Sequence, residues 1–143
     1  MKKDVLIHVS GIHMTEDEDR IEVVVPGQYY FRNGSHYVRY EERMDENEQP
    51  TINYIKISPN TVEVRKQGTV NANMVFERGK KNVVLYSTPM GTLHMDIAAT
   101  NIVFEEDEDE LMLKLDYSLD VNELHVSDCY LTLHVQSKES FTV

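Results

Sequence analysis

The sequence predicts an all-β protein built as a single antiparallel up-and-down β-barrel of about eight to eleven strands. Three observations carry that expectation. Apolar and polar residues alternate with period two along most of the chain, tight-turn signals separate the alternating runs, and two runs switch phase partway, as a strand does at a bulge. No segment carries a sustained helical stripe, although the acidic stretch near Glu105 has room for a short helical turn.

The strands follow in order. Val5, Ile7 and Val9 alternate with Leu6, His8 and Ser10, and Ile21, Val23 and Val25 then run to a breaker at Pro26-Gly27. Asn33-Gly34 separates two alternating runs, the strongest short hairpin signal because both residues tolerate positive φ. A two-residue loop pairs Phe31 with His36 and Tyr29 with Val38. One face then carries Tyr29, Phe31, Val38 and Tyr40, and the other carries Tyr30, Arg32, Tyr37 and Arg39. Ser58-Pro59-Asn60, Gln67-Gly68 and Arg78-Gly79-Lys80 are further turns, each short enough to make its flanking strands antiparallel neighbours. Pro89-Met90-Gly91 suits a type I turn with a glycine bulge. That loop pairs Thr88 with Thr92 and Tyr86 with His94, and it places Val83, Leu85, Leu93, Met95 and Ile97 on one apolar face. The phase switches fall at Thr100-Asn101 and at Ser127-Asp128. Leu111 to Leu119 is the cleanest alternating run.

A chain of 143 residues has room for one domain, 1–143, with a full core. Acids outnumber bases 25 to 14, for a formal charge of −11. Such a charge repels phosphate backbones and anionic membranes, so neither nucleic acid nor membrane is the expected partner unless a basic patch is concentrated somewhere. Cys129 is the only cysteine, which rules out an intramolecular disulfide and fits a reducing compartment. The basic start Met1-Lys2-Lys3 precedes an apolar stretch too short and too polar for a signal peptide, and no run is long enough to span a bilayer as a helix. A cytoplasmic protein is expected.

Five motifs in order carry a resemblance. They are Tyr29-Tyr30-Phe31-Arg32-Asn33-Gly34, Tyr37-Val38-Arg39-Tyr40-Glu41-Glu42, Val64-Arg65-Lys66-Gln67-Gly68, Met74-Val75-Phe76-Glu77 and Tyr86-Ser87-Thr88-Pro89-Met90-Gly91-Thr92-Leu93. Together they resemble the YwiB-like proteins, a bacterial domain of unknown function with a calycin-like, lipocalin-like β-barrel. The resemblance implies a barrel in a bacterial cytoplasm and transfers no catalytic residue. Small apolar ligands are common in such barrels, but one fold hosts many functions. The chain lacks the tryptophan signature of lipocalins, and no arginine is followed two positions later by tyrosine, the pair that fatty-acid carriers use.

The candidate ligand-binding residues are Tyr40, Arg65, Tyr86, Thr88 and His94, with Thr92 and Asp96 beside them. Turned inward, they would offer an imidazole, hydroxyls and a guanidinium to a small polar or anionic ligand. The plainer reading is a solvated outer face, with Arg65 paired to a surface acid and Tyr40 in the core. The six histidines include no pair at metal-ligand spacing, so neither a metal nor another cofactor is expected; haem on His94 alone is a remote option. Glu105 to Glu110 is six consecutive acids without the glycine and spaced ligands of a calcium loop, and it reads first as a solvated loop. Nucleophile elbows, phosphate-binding glycine loops and metalloprotease motifs are absent, and Cys129 reads as a structural thiol.

These observations leave three readings. The first is a non-enzymatic small-molecule-binding barrel. The second is a filled barrel that docks a protein partner or a second copy of itself through its acidic loops. The third is an enzyme using His94 with Asp96 or Glu42.

Overall fold

The computed structural model describes residues 4–13, 19–43 and 49–137. The basic start and parts of the acidic stretches at 16–19 and 41–48 lie outside these residues. Every regular element described is a strand: β1 (Asp4–His13), β2 (Asp19–Arg32), β3 (Ser35–Glu42), β4 (Thr51–Ile57), β5 (Thr61–Gln67), β6 (Ala72–Glu77), β7 (Lys81–Thr88), β8 (Gly91–Glu106), β9 (Glu110–Val121) and β10 (Leu124–Ser137). They form one antiparallel sheet in the order β6-β5-β4-β3-β2-β1-β10-β9-β8-β7. Each strand lies beside its neighbour in sequence, and β1 pairs with β10 from Val5↔Ser137 to Ile12↔Tyr130.

The two sheet edges, β6 and β7, meet in a seam that nearly closes the barrel. Asn71 and Ser87 exchange backbone hydrogen bonds of 2.9 Å each, and the Asn82 side-chain amide donates to the Val75 carbonyl at 2.8 Å. Beyond the end of β7, β8 continues without a β7 partner. There the turn after β6 folds onto it: Gly79 N–H donates to the Ala99 carbonyl at 3.1 Å, and the Arg78 guanidinium donates to the Ile102 carbonyl. Free backbone acceptors at a sheet edge are costly or adhesive, and this turn covers two of them.

Inward residues form one continuous core. Val5, Ile7, Leu111, Leu113, Leu115, Leu133 and Val135 are fully buried, so no water-sized space touches them and this wall of the barrel is packed solid. Phe76 closes the core from β6 and meets Tyr117 edge-on at 5.0 Å between ring centres.

Both expected phase switches are bulges. The β8–β9 register shifts between Ala99 and Asn101, leaving Thr100 as the extra residue, and its hydroxyl donates to the Asp116 carbonyl at 3.1 Å. Ile97 and Ala99 point inward before the bulge, and Ile102 and Phe104 pack on the core after it. In β10 the shift falls between His125 and Ser127, at the residue just before the expected pair. The Asn33-Gly34 hairpin has the anticipated register, with φ of 52° and 80° at the turn.

Three expectations are corrected. Pro26-Gly27 does not end a strand: β2 runs through it, because the ladder to β3 begins only at Gly27 and the proline stands where no β3 partner needs its missing N–H. Pro89-Met90 is a plain two-residue loop that pairs Thr88 with Gly91, Tyr86 with Leu93 and Leu85 with His94. Val84 is therefore the buried residue, at 1% exposure, while Val83 is 73% exposed and Leu85 is also on the surface. Phe31 keeps its expected parity but sits at the barrel end and is exposed. The acidic run holds no helical turn. It is a tight β8–β9 hairpin in which one Asp107 carboxylate oxygen accepts the backbone N–H groups of Asp109 and Glu110 at 2.9 Å each.

Candidate functional site

Alternation on β2 to β5 sends every second side chain out of the barrel, and pairing sets those side chains in rows across the sheet. Tyr30 stands opposite Tyr37, Tyr37 opposite Lys56, and Lys56 opposite Glu63. In the next row Gln28 stands opposite Arg39, Arg39 opposite Tyr54, and Tyr54 opposite Arg65. Aromatic and β-branched residues suit this pleated surface, and cross-strand pairs of this kind stabilise a sheet.

The rows enclose an open cleft of about 320 Å³ on the outside of the barrel, lined by side chains from all four strands with Val38 and Ile55 at its floor. Tyr30 and Tyr37 lie stacked, 4.7 Å between ring centres and 8° from parallel. The Lys56 ammonium is 5.8 Å from the Tyr37 ring centre. The guanidinium carbons of Arg39 and Arg65 lie 5.9 Å and 4.9 Å from the Tyr54 ring centre. Arg39 also receives Glu41 at 3.7 Å and donates to Gln28 Oε1 at 3.1 Å. Among the described residues no carboxylate lies within ion-pair distance of Arg32, Lys56 or Arg65, although acids exceed bases 25 to 14 in the chain. The face therefore concentrates four cations, Arg32 included, against the carboxylates of Glu41 and Glu63.

The five residues singled out from sequence do not come together. Tyr40 points into the barrel and is buried, and burial, followed by the nearby Glu42 charge, pushes its phenol well above the ordinary tyrosine range. Tyr86 also faces inward, half-buried and raised by the same two causes in the same order. Near them the Lys66 ammonium donates to Asn53 Oδ1 at 2.7 Å and lies 3.5 Å from Glu42, which also accepts from Asn53 Nδ2 at 3.1 Å. This inner cluster satisfies itself. Thr88 serves the β7–β8 turn, donating to the Gly91 carbonyl at 2.9 Å and accepting from Met90 N–H at 3.2 Å. His94 is exposed on the outside of β8, so it does not converge with the inward Glu42. Arg65 alone of the five lies in the cleft, stacked on Tyr54 in place of the surface ion pair expected for it.

Tyr30, Tyr37, Arg39, Tyr54 and Lys56 are the cleft residues that site reasoning from sequence left out. Their signal was present in the outer face of the Asn33-Gly34 hairpin, where two tyrosines alternate with two arginines. It continues as Tyr54 and Lys56 in Thr51–Ile57 and as Arg65 in Thr61–Gln67.

Several residues of the acidic β8–β9 hairpin make contacts within the protein. Glu106 faces His36 at 3.4 Å, Glu110 faces His134 at 3.6 Å and accepts from Gln136 at 2.9 Å, and Asp109 takes the Ser137 backbone N–H on its carbonyl at 3.0 Å. Among the described residues no three His, Cys, Asp or Glu side chains cluster as a metal ion requires. Cys129 is buried opposite Tyr117, whose phenol is raised by burial first and then by the thiol beside it.

Known proteins share this architecture. The chain is 27% identical over 133 residues to the uncharacterized beta-barrel protein YwiB of Bacillus subtilis (strain 168), covering 91% of this chain and 87% of that one. The crystal structure of the ywiB protein from Bacillus subtilis superposes with a TM-score of 0.82 at 22% identity, over 94% of this chain and 92% of the other, and so shares the fold. Neither name specifies a ligand or a reaction. With a family model matching residues 7–133, the chain belongs to the family described as Domain of unknown function (DUF1934).

Proposed function

We propose that this protein is a non-enzymatic binding barrel whose ligand is an anion bearing a flat ring, held on the outer face of β2 to β5. One observation carries the reading: Arg65 and Lys56 lie against the rings of Tyr54 and Tyr37 with no carboxylate partner among the described residues. Cations on a chain of charge −11 ordinarily find acids. Here they are held by ring faces, which leaves their N–H donors for an incoming oxyanion while the tyrosines offer stacking surface. Arg65, expected from sequence as a ligand residue, keeps that role; Tyr40 and Tyr86 support the wall from inside. The single cysteine fits a cytoplasmic setting.

Chemical-shift mapping with salicylate and with uridine monophosphate tests the reading. The expected result is perturbation confined to Tyr30, Tyr37, Tyr54 and the Arg39 and Arg65 side chains, abolished by a combined Lys56→Ala and Arg65→Ala change. Perturbation centred on Tyr40 and Tyr86, or none with either compound, would overturn it.

A further inference from the structure

The cleft repeats itself. In one row the ring of Tyr37 lies against Lys56, and in the next the ring of Tyr54 lies against Arg39 and Arg65. The rows are two residues apart along each strand, which is about 7 Å. Across β2 to β5 the face extends about 14 Å, three strand spacings, and its cleft is open. A pocket for one small molecule closes around most of its ligand; this cleft is open, with Arg32 exposed beyond the Tyr30–Tyr37 row. A ring-and-cation unit that recurs at a short interval matches a ligand in which a flat ring and a negative charge recur.

We infer that this face binds single-stranded nucleic acid, with bases stacked on the exposed Tyr30 and beside the half-buried Tyr37 and Tyr54, and phosphates on Arg32, Arg39, Lys56 and Arg65. The inference rests on the binding-face reading above and names its ligand class. Duplexes hide the faces of their bases, so stacking on Tyr30, which is 53% exposed, requires an unpaired strand. The acidic remainder of the molecule repels the same strand, so binding is confined to this face and is weak at high salt. The net charge of −11 argued against nucleic acid unless basic groups were concentrated somewhere, and pairing of four strands concentrates them here.

Fluorescence anisotropy of a labelled oligouridylate of about ten nucleotides, within the site sizes of stacking barrels, tests the proposal between about 50 and 200 mM salt. Each phosphate neutralised on a single strand adds a slope of about −0.7 to log K against log salt, so two to four contacts predict about −1.4 to −2.8. Changing Lys56 and Arg65 together to alanine should weaken binding and flatten the slope by about 1.4. Tyr30→Ala should weaken binding by roughly 5- to 100-fold with the slope kept. Lys114→Ala, exposed on the far wall, should change little. Three results would overturn the inference: a duplex of equal length bound equally, a Lys114 effect as large as that of Arg65, or an oligonucleotide no tighter than uridine monophosphate. In the last case, monophosphate binding that is retained leaves the anionic-ring reading standing, and loss of both removes it as well.

Discussion

The Tyr29 hydroxyl stands 2.6 Å from Nδ1 of His36, across the hairpin that Asn33-Gly34 closes. Burial, with the Glu106 charge second, raises the Tyr29 pKa, and the Glu106 carboxylate beside Nε2 favours the imidazole hydrogen there, which leaves Nδ1 to accept from the Tyr29 hydroxyl. Nε2 faces Glu106 at 3.4 Å. Phe31 and Phe104 flank the ring at 4.9 Å and 5.0 Å. Burial holds His36 below the usual histidine range, with Glu106 opposing.

That depression makes stability sensitive to mild acid. A histidine whose folded pKa lies below its unfolded value costs nothing while both states are neutral. It penalises the fold as pH drops below the ordinary value of 6.5, and the penalty levels off once pH is under the folded pKa. Urea unfolding at about pH 7.5 and pH 5.5 should show lower stability at the acid end, and His36→Gln should shrink the difference. Asp120 is held low by hydrogen bonds from Lys81 and His125 and loses its contribution only below its ordinary value of 3.8, so the two windows separate. An undiminished acid loss in the His36 variant would assign the sensitivity elsewhere.

Adjacent valines on β7 should behave oppositely. Val84→Ala removes buried methyl groups from the core and should cost about 2 kcal/mol. Val83→Ala, on a side chain 73% exposed, should stay within about 0.5 kcal/mol. Equal costs in denaturant titrations would contradict the two-residue Pro89-Met90 loop.

At the β9–β10 turn, Asn122 and Glu123 both have positive φ, 51° and 68°. Asparagine tolerates that region, and glutamate does so at a cost. Glu123→Gly should raise stability by about 0.5–1 kcal/mol, seen as a higher unfolding midpoint with an unchanged m-value. A lower midpoint would mean that the Glu123 side chain contributes more than its backbone strain removes.

Gly27 lies where β2 passes from the β1 ladder to the β3 ladder, pairing with both Val5 and Tyr40. A Cβ there would collide with Ile7 Cδ1 and stand 2.5 Å from the Arg39 carbonyl oxygen. Gly27→Ala should destabilise by about 1–3 kcal/mol through overpacking. Because Arg39 belongs to the cleft, the shift should also reach the outer face, visible as changed chemical shifts at Tyr54. A silent substitution would show that the wall at this point is more yielding than its packing implies.

Local pattern determined much of this protein. Period-two alternation marked the strands, Asn33-Gly34 set the register that brings Tyr29 to His36, and the phase change at Thr100-Asn101 marked the bulge, because each depends on residues a few positions apart. Other features were decided only by closure. In Lys81–Thr88 both parities are apolar, Val83 with Leu85 and Val84 with Tyr86, so alternation cannot choose the inward set; packing against the rest of the wall does. The same holds for His36 meeting Glu106 from strands far apart in the sheet order. The tyrosine and cation rows also lay unread across four separate strands, since a surface that no single segment contains takes shape only when pairing sets those segments side by side.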